Sequence, residues 1–409
     1  MARHLTELSQ WTAEVSKKIP HLSKPQAAGL ALYSFGMVLV QSCGISSIAY
    51  GLSLLLGQKE NTLRQRLREL TYDAADKRGE QRQELDVTSC FAPLLQWVLS
   101  WWEADEKRLA LAMDVSTLRQ RFTVLTISVV YRGCAIPVAW IVLPATEKGA
   151  WKPHWLALLK SLKGVVTADW TVIVLTDRGL YAKWLFKAIQ GLNWHPFMRI
   201  NLGGNFRPKG QASFRPLSTV VPQVGMAWAG RIDCFSSPNA RLSATLLACW
   251  AEGYTEPWLI LTDLSPEVAD AAWYGMRTWI EQGYKDDKRG GWRWEQTKMT
   301  DPVRATRLWL VIVLATLWVV SVGGEVDAHL PPSSLDALPE TPIALRCAAG
   351  RPTSRRLSCF RRGLITILVA LIRGDPLPLG RFIPESWPDC SPDLLELQLT
   401  HGVLSHALA

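Results

Sequence analysis

Residues 171–179 read TVIVLTDRG, an uninterrupted apolar run that ends in an acidic residue, Asp177. A run of this length predicts a buried strand, and the Asp-Arg-Gly that follows predicts the turn by which the chain leaves it. A second apolar run at 108–114, RLALAMD, also ends in an acid, Asp114. We therefore expect two buried strands, each with a carboxylate at its carboxyl end.

The segments around these two strands predict an α/β fold. Apolar runs at 122–131 and 134–142 flank the dipeptide Arg132-Gly133, which predicts a β-hairpin with a tight turn. The order of elements is therefore three strands, a helix, the strand that ends in Asp177, a second helix and a fifth strand. In this order, the first helix lies at 151–162, the second extends to about 190, and the fifth strand lies near 197–200.

That order is the order of a ribonuclease-H-like fold. In this fold the first and fourth strands are neighbours, so Asp114 and Asp177 would face each other. Ligands of open sheets bind beyond the ends of strands, where the backbone leaves room for them. A single Asp at a strand end is weak evidence, because Asp is also a common turn residue. The combination of order and spacing carries the prediction.

A later segment concentrates charge in an unusual way. Tyr274, Arg277, Glu281 and Lys288 form the pattern Tyr-x2-Arg-x3-Glu-x6-Lys in a segment, 265–289, that is expected to be helical. At about 100° per residue these four side chains share an arc of roughly 60°. The simpler interpretation is a solvated helix face with an i,i+4 ion pair. The alternative is a site where a carboxylate holds a metal ion and the other three groups hold phosphate oxygens.

Together, Asp114, Asp177 and Glu281 would form a cluster of three carboxylates. Such groups repel one another unless cations lie between them. Two Mg²⁺ ions, for which Mn²⁺ would substitute, are the usual solution, and they support phosphoryl transfer. The eight cysteines contain no Cys-x-x-Cys pair and the seven histidines are scattered, which argues against zinc.

On these residues the chain resembles the DDE transposases of bacterial insertion sequences, in the subgroup with the Tyr-Arg-Glu-Lys signature, the insertion sequence four family. The resemblance covers roughly 107–322 and includes Asp114 in MDVST, Asp177 in LTDRG and the complete signature. It implies that Asp114, Asp177 and Glu281 are the metal-binding catalytic residues. It also implies a β-rich insertion between the second Asp and the Glu, where the glycine- and proline-bearing segment 203–262 lies.

The resemblance implies further contacts with DNA. Tyr274, Arg277 and Lys288 would bind phosphates of the transposon end, and Trp258 would hold a flipped base. For Trp258 the alternative is an ordinary core residue of an apolar strand. Arg178 is another candidate phosphate contact, or simply an exposed turn arginine. Gly283 lies inside the signature and lowers helix stability by about 1 kcal/mol, so we expect the last turn, with Lys288, to fray.

The flanking regions predict a helical DNA-reading part and a charged linker. Helices at 44–56 and 61–70 resemble a helix-turn-helix, with a plain helical bundle as the alternative. Three arginines of the second helix could address a groove or phosphates: Arg64, Arg66 and Arg68. The expected regions are 1–75, all-helical; 76–106, linker and helix; 107–202, first part of the core; 203–262, β-rich insertion; 263–325, second part of the core; and 326–409, a mostly helical C-terminal tail. In this tail an irregular connector at 327–356 and a basic run precede an apolar helix near 364–372; the basic run comprises Arg351, Arg355, Arg356, Arg361 and Arg362.

Composition fits a partner with many negative charges. The net charge is +9 and the pI is near 9.2, which favours nucleic acid or an anionic membrane surface. The apolar run at 308–323 is short of the roughly 20 residues that cross a bilayer, so a helix buried beneath a sheet is expected, with no membrane. Cysteine usage fits reduced thiols in a cytoplasm.

The expected function is that of a cut-and-paste transposase. It would bind terminal inverted repeats, cleave DNA at each end and join the freed ends to target DNA. The resemblance also implies a homodimer across paired ends and a place in the bacterial cytoplasm with the nucleoid. Two alternatives remain open: a ribonuclease-H-like nuclease without strand transfer, and a non-catalytic DNA-binding derivative.

Overall fold

A ten-stranded mixed sheet forms the centre of the computed structural model, which describes residues 2–79, 82–102, 106–147, 151–328 and 357–388. Its strand order is β3-β2-β1-β4-β5-β10-β9-β8-β6-β7. The strands are β1 (Arg108–Leu118), β2 (Phe122–Tyr131), β3 (Cys134–Pro144), β4 (Thr171–Thr176), β5 (His195–Arg199), β6 (Asn205–Pro208), β7 (Arg215–Pro216), β8 (Ala227–Cys234), β9 (Leu242–Cys249) and β10 (Trp258–Thr262). The α/β class is therefore confirmed.

The first half of the sheet has the predicted neighbours. β1, β2 and β3 form an antiparallel meander, and β1 pairs in parallel with β4, which pairs in parallel with β5. At the turn between β2 and β3, Arg132 and Gly133 both have positive φ, 46° and 78°, which matches the twist of a tight hairpin.

One sequence prediction about β1 is wrong: Asp114 does not end this strand. β1 continues to Leu118 because its hairpin pairing with β2 extends from Asp114↔Thr126 to Leu118↔Phe122. The parallel pairing with β4, however, stops at Met113↔Thr176. Asp114 is therefore the first residue of β1 beyond the end of β4, and Asp177 is the first residue after β4 itself.

The strands of the segment 203–262 add to the same sheet. β10 pairs antiparallel with β5, and β9, β8, β6 and β7 follow outward from it. The sheet is thus continuous across the sequence that was expected to form an insertion.

Helices cover the two faces of the sheet unequally. The larger core contains the odd-numbered residues of β1, such as Leu109 and Leu111, together with the N-terminal helices and the long apolar helix. The smaller core contains Ala110 and Ala112, on the opposite face, together with residues 271–280. The helices are α1 (Ala2–Lys18), α2 (Lys24–Val40), α3 (Ile45–Leu56), α4 (Glu60–Leu70), α5 (Phe91–Leu99), α6 (Trp151–Ser161), α7 (Lys183–Gln190), α8 (Trp279–Lys285), α9 (Pro302–Asp327) and α10 (Cys359–Arg373).

The apolar helix α9 is a core helix. Asp301 caps its N-terminus by accepting a hydrogen bond from the Arg304 amide. In the described part of the chain, α9 is the one unbroken helix long and apolar enough to cross a membrane, and 94% of its most apolar stretch is buried. The pair α2 and α3 passes the same test only if counted together, across a bend of 92°.

The signature segment is not the continuous α-helix that the sequence predicts. Residues Ala271–Thr278 form a 3₁₀-helix, α8 follows, and Asp286–Gly290 form a π-turn in which Lys288 has non-helical dihedrals (φ −95°, ψ −122°). The four signature side chains therefore do not share one α-helical arc. Within α8, Gly283 packs closely against β3, where a Cβ would be 3.0 Å from the Cβ of Ala135.

The C-terminal tail packs on the core where it is described. Tyr131 donates a hydrogen bond to the Ile383 carbonyl at 2.9 Å, and Arg362 forms an ion pair with the fully buried Asp327 at 2.5 Å. Arg361 donates to Gln41 at 3.1 Å. The other arginines of the predicted basic run, Arg351, Arg355 and Arg356, lie outside the described residues.

Candidate active site

Asp114 lies at the edge of the smaller core, where β1 passes the end of β4. Its side chain is only 13% exposed, and its Oδ1 accepts a hydrogen bond from the Val115 amide at 2.8 Å. Burial raises the pKa of Asp114, and the guanidinium of Arg277 opposes that rise. A buried carboxylate at this position needs a cation, and the structure provides one.

Asp177 lies next to it, in the turn after β4. Its Oδ1 accepts a hydrogen bond from the Leu180 amide at 3.0 Å, which fixes the carboxylate as part of the turn. The side chain is 38% exposed, so Asp177 faces solvent more than Asp114 does. The prediction that Asp114 and Asp177 belong to neighbouring strands is confirmed by the β1–β4 pairing.

The guanidinium of Arg277 lies between three carboxylates. Its Nη2 donates to Asp114 Oδ2 at 2.9 Å and lies 3.9 Å from Asp177 Oδ2, while its Nη1 donates to Glu281 Oε1 at 2.7 Å. Burial alone would lower the pKa of Arg277, but the surrounding acids raise it. The three predicted acids thus converge on one positive charge.

These acids have the donor chemistry that hard divalent cations require. Asp114 in β1, Asp177 after β4 and Glu281 in α8 each place a carboxylate oxygen within 3.9 Å of Arg277, and Glu281, 52% exposed, lies on the solvent side. In the described ranges, no group of three or more His, Cys, Asp or Glu side chains is arranged so that it could hold a metal ion. In this structure the three acids contact Arg277 instead. Asp114, Asp177 and Glu281 fit Mg²⁺ or Mn²⁺ by ligand type.

Lys288 lies on the same face of the sheet as Asp114. Its Nζ donates to Ser116 Oγ at 2.9 Å, and Ser116 is two residues from Asp114, so both point the same way. Burial lowers the pKa of Lys288. The nearby Tyr284 hydroxyl contacts Thr126, the residue opposite Asp114 in β2. The irregular π-turn therefore still brings Lys288 close to the acids.

Tyr274 and Trp258 are buried in the smaller core. Tyr274 is 4% exposed and Trp258 is 8% exposed. Their rings meet edge to face at 5.3 Å, and burial raises the pKa of Tyr274 to about 12. The alternative interpretation of Trp258, an ordinary core residue, describes what the structure shows. Neither ring is at the surface, where DNA would meet it.

Arg178 is half exposed and belongs to a small ion-pair group. It lies 2.7 Å from Glu256, which also accepts a hydrogen bond from Arg199 at 3.0 Å. Sequence reasoning missed Arg199 and Glu256, because nothing local in the segments around 199 and 256 indicates that β5 and the loop before β10 are adjacent. Arg178 thus lies beside the acids but is already paired.

The three N-terminal arginines do not share one face. Within α4, Arg64 and Arg68 lie about 40° apart, whereas Arg66 lies about 160° from both. Arg64 forms an i,i+4 ion pair with Glu60, and Arg66 lines a groove between α1, α2 and α3. A single DNA groove could meet Arg64 and Arg68 together, but not all three.

Sequence reasoning also missed a pair of buried acids beside the site. Asp286 and Asp287 follow α8 and are 5% and 3% exposed. Burial raises the pKa of Asp286 to about 7 and raises that of Asp287 well above its usual range. The hydrophilic cluster Lys285-Asp286-Asp287 predicts a solvated turn, so no local signal indicates that these acids are buried.

The comparisons with known proteins are negative. No protein-family model matches this chain, and no curated protein matches it in sequence. The geometry of the site and the resemblance of its motifs therefore carry the functional argument.

Proposed function

We propose that this chain is a DDE transposase of the insertion sequence four family. It binds the terminal inverted repeats of its element, cleaves the DNA at each end and joins the freed 3′-hydroxyls to target DNA by phosphoryl transfer. One observation carries the proposal: Asp114, Asp177 and Glu281, far apart in sequence, all lie within 3.9 Å of one guanidinium beside the carboxyl end of β4.

The first half of the sheet supports the finer assignment to a ribonuclease-H-like fold. Its order is β3-β2-β1-β4-β5, with β1, β4 and β5 parallel and β2 antiparallel to β1. The resemblance implies this order, and the β-rich strands between Asp177 and Glu281 stand where it implies an insertion. The net charge of +9 supports a DNA partner.

The side chains of the site divide the chemical work between them. Asp114, Asp177 and Glu281 would hold two Mg²⁺ ions, which when bound supply Lewis acidity to the attacking and leaving oxygens. Lys288 and Arg277 provide positive charge for the phosphate that reacts. Asp114, the most buried of the three acids, is fixed by the Val115 amide and keeps its geometry while the exposed Glu281 adapts.

The proposal is tested with the DNA that flanks the gene. The purified full chain is incubated with Mg²⁺ and duplexes carrying the inverted repeats from that DNA, together with a target plasmid. We expect cleavage at the repeat ends and joined products. Asp114→Asn, Asp177→Asn and Glu281→Gln should each lower activity by at least about 100-fold. Losing a residue that merely orients a metal ligand lowers activity by up to about 100-fold, and these three residues are proposed as the ligands themselves.

The control is Asp169→Asn, which alters an exposed acid paired with Lys107 and away from the site. It should retain activity. Cleavage without joined product would indicate a nuclease, and binding without cleavage would indicate a non-catalytic DNA-binding protein. Full activity in any of the three site variants would remove that residue from the proposed mechanism.

A further inference from the structure

Arg277 makes its contacts with the acids, not with the exterior. Its side chain is 13% exposed, and both terminal nitrogens are used by carboxylates: Nη2 by Asp114 and Asp177, and Nη1 by Glu281. In this position the guanidinium is largely buried among carboxylates that would repel a DNA phosphate, so it is not presented to one. The phosphate contact that the resemblance implies therefore requires Arg277 to leave this position.

The guanidinium also contacts the carboxylate oxygens that a divalent cation would need. Three carboxylates this close repel one another unless a positive charge lies between them. A guanidinium and a divalent cation both neutralise the carboxylates, but they cannot do so from the same position. Arg277 and a divalent cation are thus competitors for the same oxygens.

Two features of the site make release of Arg277 feasible. Its buried Nε has no hydrogen-bond partner among the described residues, so one donor of the guanidinium is unused in this position. Two of its three acidic partners, Asp177 and Glu281, are 38% and 52% exposed, so the site opens to solvent on their side. That side gives the guanidinium a path to solvent, and its departure would free the Asp114 carboxylate for a cation.

We propose that Arg277 is a positioning residue with two exclusive positions. Without a divalent cation it lies between Asp114, Asp177 and Glu281 and holds them together. When a cation takes these carboxylates, the guanidinium moves to the solvent side, where it is available to the DNA phosphate. This inference rests on the proposed function for the identity of the cation and the phosphate.

Binding of Mn²⁺ to the full chain without DNA tests the competition. Electron paramagnetic resonance of free Mn²⁺ gives the affinity directly, with no need for activity. We expect Arg277→Gln to bind Mn²⁺ at least about 10-fold more tightly than the wild type, because no guanidinium has to be displaced. Arg277→Lys should fall between them. Adding Asp114→Asn to Arg277→Gln should remove the gain.

The control is Arg207→Gln, which removes an arginine paired with Asp233 in the outer part of the sheet. Its Mn²⁺ affinity should equal that of the wild type. Equal or weaker Mn²⁺ binding by Arg277→Gln would overturn the proposal, and so would the absence of binding in every variant.

Thermal unfolding in EDTA tests the position of Arg277 between the three acids in the absence of a divalent cation. Arg277→Gln should lower the Tm, because the three acids lose their shared cation, and a second change, Asp114→Asn, should restore part of the loss. No loss of Tm in Arg277→Gln would contradict the proposal. If Arg277→Gln binds Mn²⁺ more tightly but the wild type does not cleave DNA, the transposase assignment is overturned and the two positions of Arg277 stand.

Discussion

At the scale of single residues, the sequence identifies the acids but not how they are neutralised. Asp114 and Asp177 follow apolar runs, and Glu281 belongs to a spaced signature, so the three can be selected without a structure. The sequence does not show that Arg277 lies between them, because Arg277 and Asp114 are 163 residues apart in the chain. The same holds for Asp286, whose burial comes from tertiary packing that a polar sequence does not indicate.

The buried Asp286 gives a pH-dependent stability. Its pKa rises from 3.8 to about 7 on folding, since burial disfavours the charged form. A raised folded pKa means that the folded state binds the proton more tightly. The contribution of protonated Asp286 to the free energy of unfolding is therefore complete below about pH 4 and is lost as the pH rises towards 7.

Asp286→Asn should remove that pH dependence. Asn keeps an oxygen that can accept the hydrogen bond from Gln282, 3.0 Å in the wild type, but cannot ionise. The gain in free energy of unfolding over the wild type should be on the order of 2 kcal/mol larger at pH 8 than at pH 5. Urea unfolding at both pH values measures it.

The control for this change is Asp169→Asn. Hydrogen bonds from Lys107 and Thr167 lower the pKa of Asp169 to about 2, so it does not titrate between pH 5 and pH 8. Its effect should be the same at both values. An equal gain for Asp286→Asn at pH 5 and pH 8 would show that Asp286 does not titrate in this range.

At the scale of elements, the strands were easier to predict than the signature helix. β2 and β4 have the predicted ends, because each is an apolar run closed by a turn. β1 is longer than predicted since residues 115–118 are held by pairing with β2 rather than by apolar composition. The signature segment has a helical pattern, yet it consists of a 3₁₀-helix, α8 and a π-turn, of which α8 packs on β3.

The crossing of α9 and α10 depends on small residues. A Cβ on Gly363 would lie 1.8 Å from the Val319 carbonyl oxygen, and one on Gly323 would lie 2.0 Å from that of Cys359. Gly363→Ala should lower the free energy of unfolding by about 3 kcal/mol, because the two helices must separate to admit the methyl group. The midpoint of urea unfolding reports the change.

Gly191→Ala is the matched control for this contact. Gly191 follows α7 with helical dihedrals, and its Cβ would meet carbonyl oxygens at 3.4 and 3.5 Å, which is ordinary contact. Its stability should stay within about 1 kcal/mol of the wild type. If Gly363→Ala behaves like Gly191→Ala, the close crossing of α9 and α10 is not tight in solution.

At the scale of the whole molecule, long-range pairing limits what the sequence can predict. The strands after residue 203 are visible as apolar runs, but their joining to the core depends on the pairing of β10 with β5, residues roughly 60 apart. No local pattern records that register. The helical N-terminal region was likewise predicted, whereas its attachment to the core through α9 was not.

Arg307 of α9 contacts the segment that follows the N-terminal helices. It is 5% exposed and donates to the Thr71 carbonyl at 3.0 Å, to Asp73 at 2.6 Å and to Glu84 at 3.2 Å. Replacing it with Met keeps most of the buried volume but removes every one of these bonds. Asp73 and Glu84 are about half exposed, so each ion pair contributes about 1 kcal/mol or less, and losing them should loosen the charged linker rather than unfold the sheet.

Limited trypsin digestion of Arg307→Met measures this loosening. The linker carries Lys77, Arg78 and Arg82, so cleavage there separates the N-terminal helices from the sheet. We expect cleavage at these sites several-fold faster than in the wild type, with the fragment that begins near residue 83 remaining resistant. Arg381→Met removes an arginine that is 60% exposed and paired with Glu325, so it should digest like the wild type. Equal rates for Arg307→Met and the wild type would mean that packing of the N-terminal helices on α9, rather than these ion pairs, protects the linker.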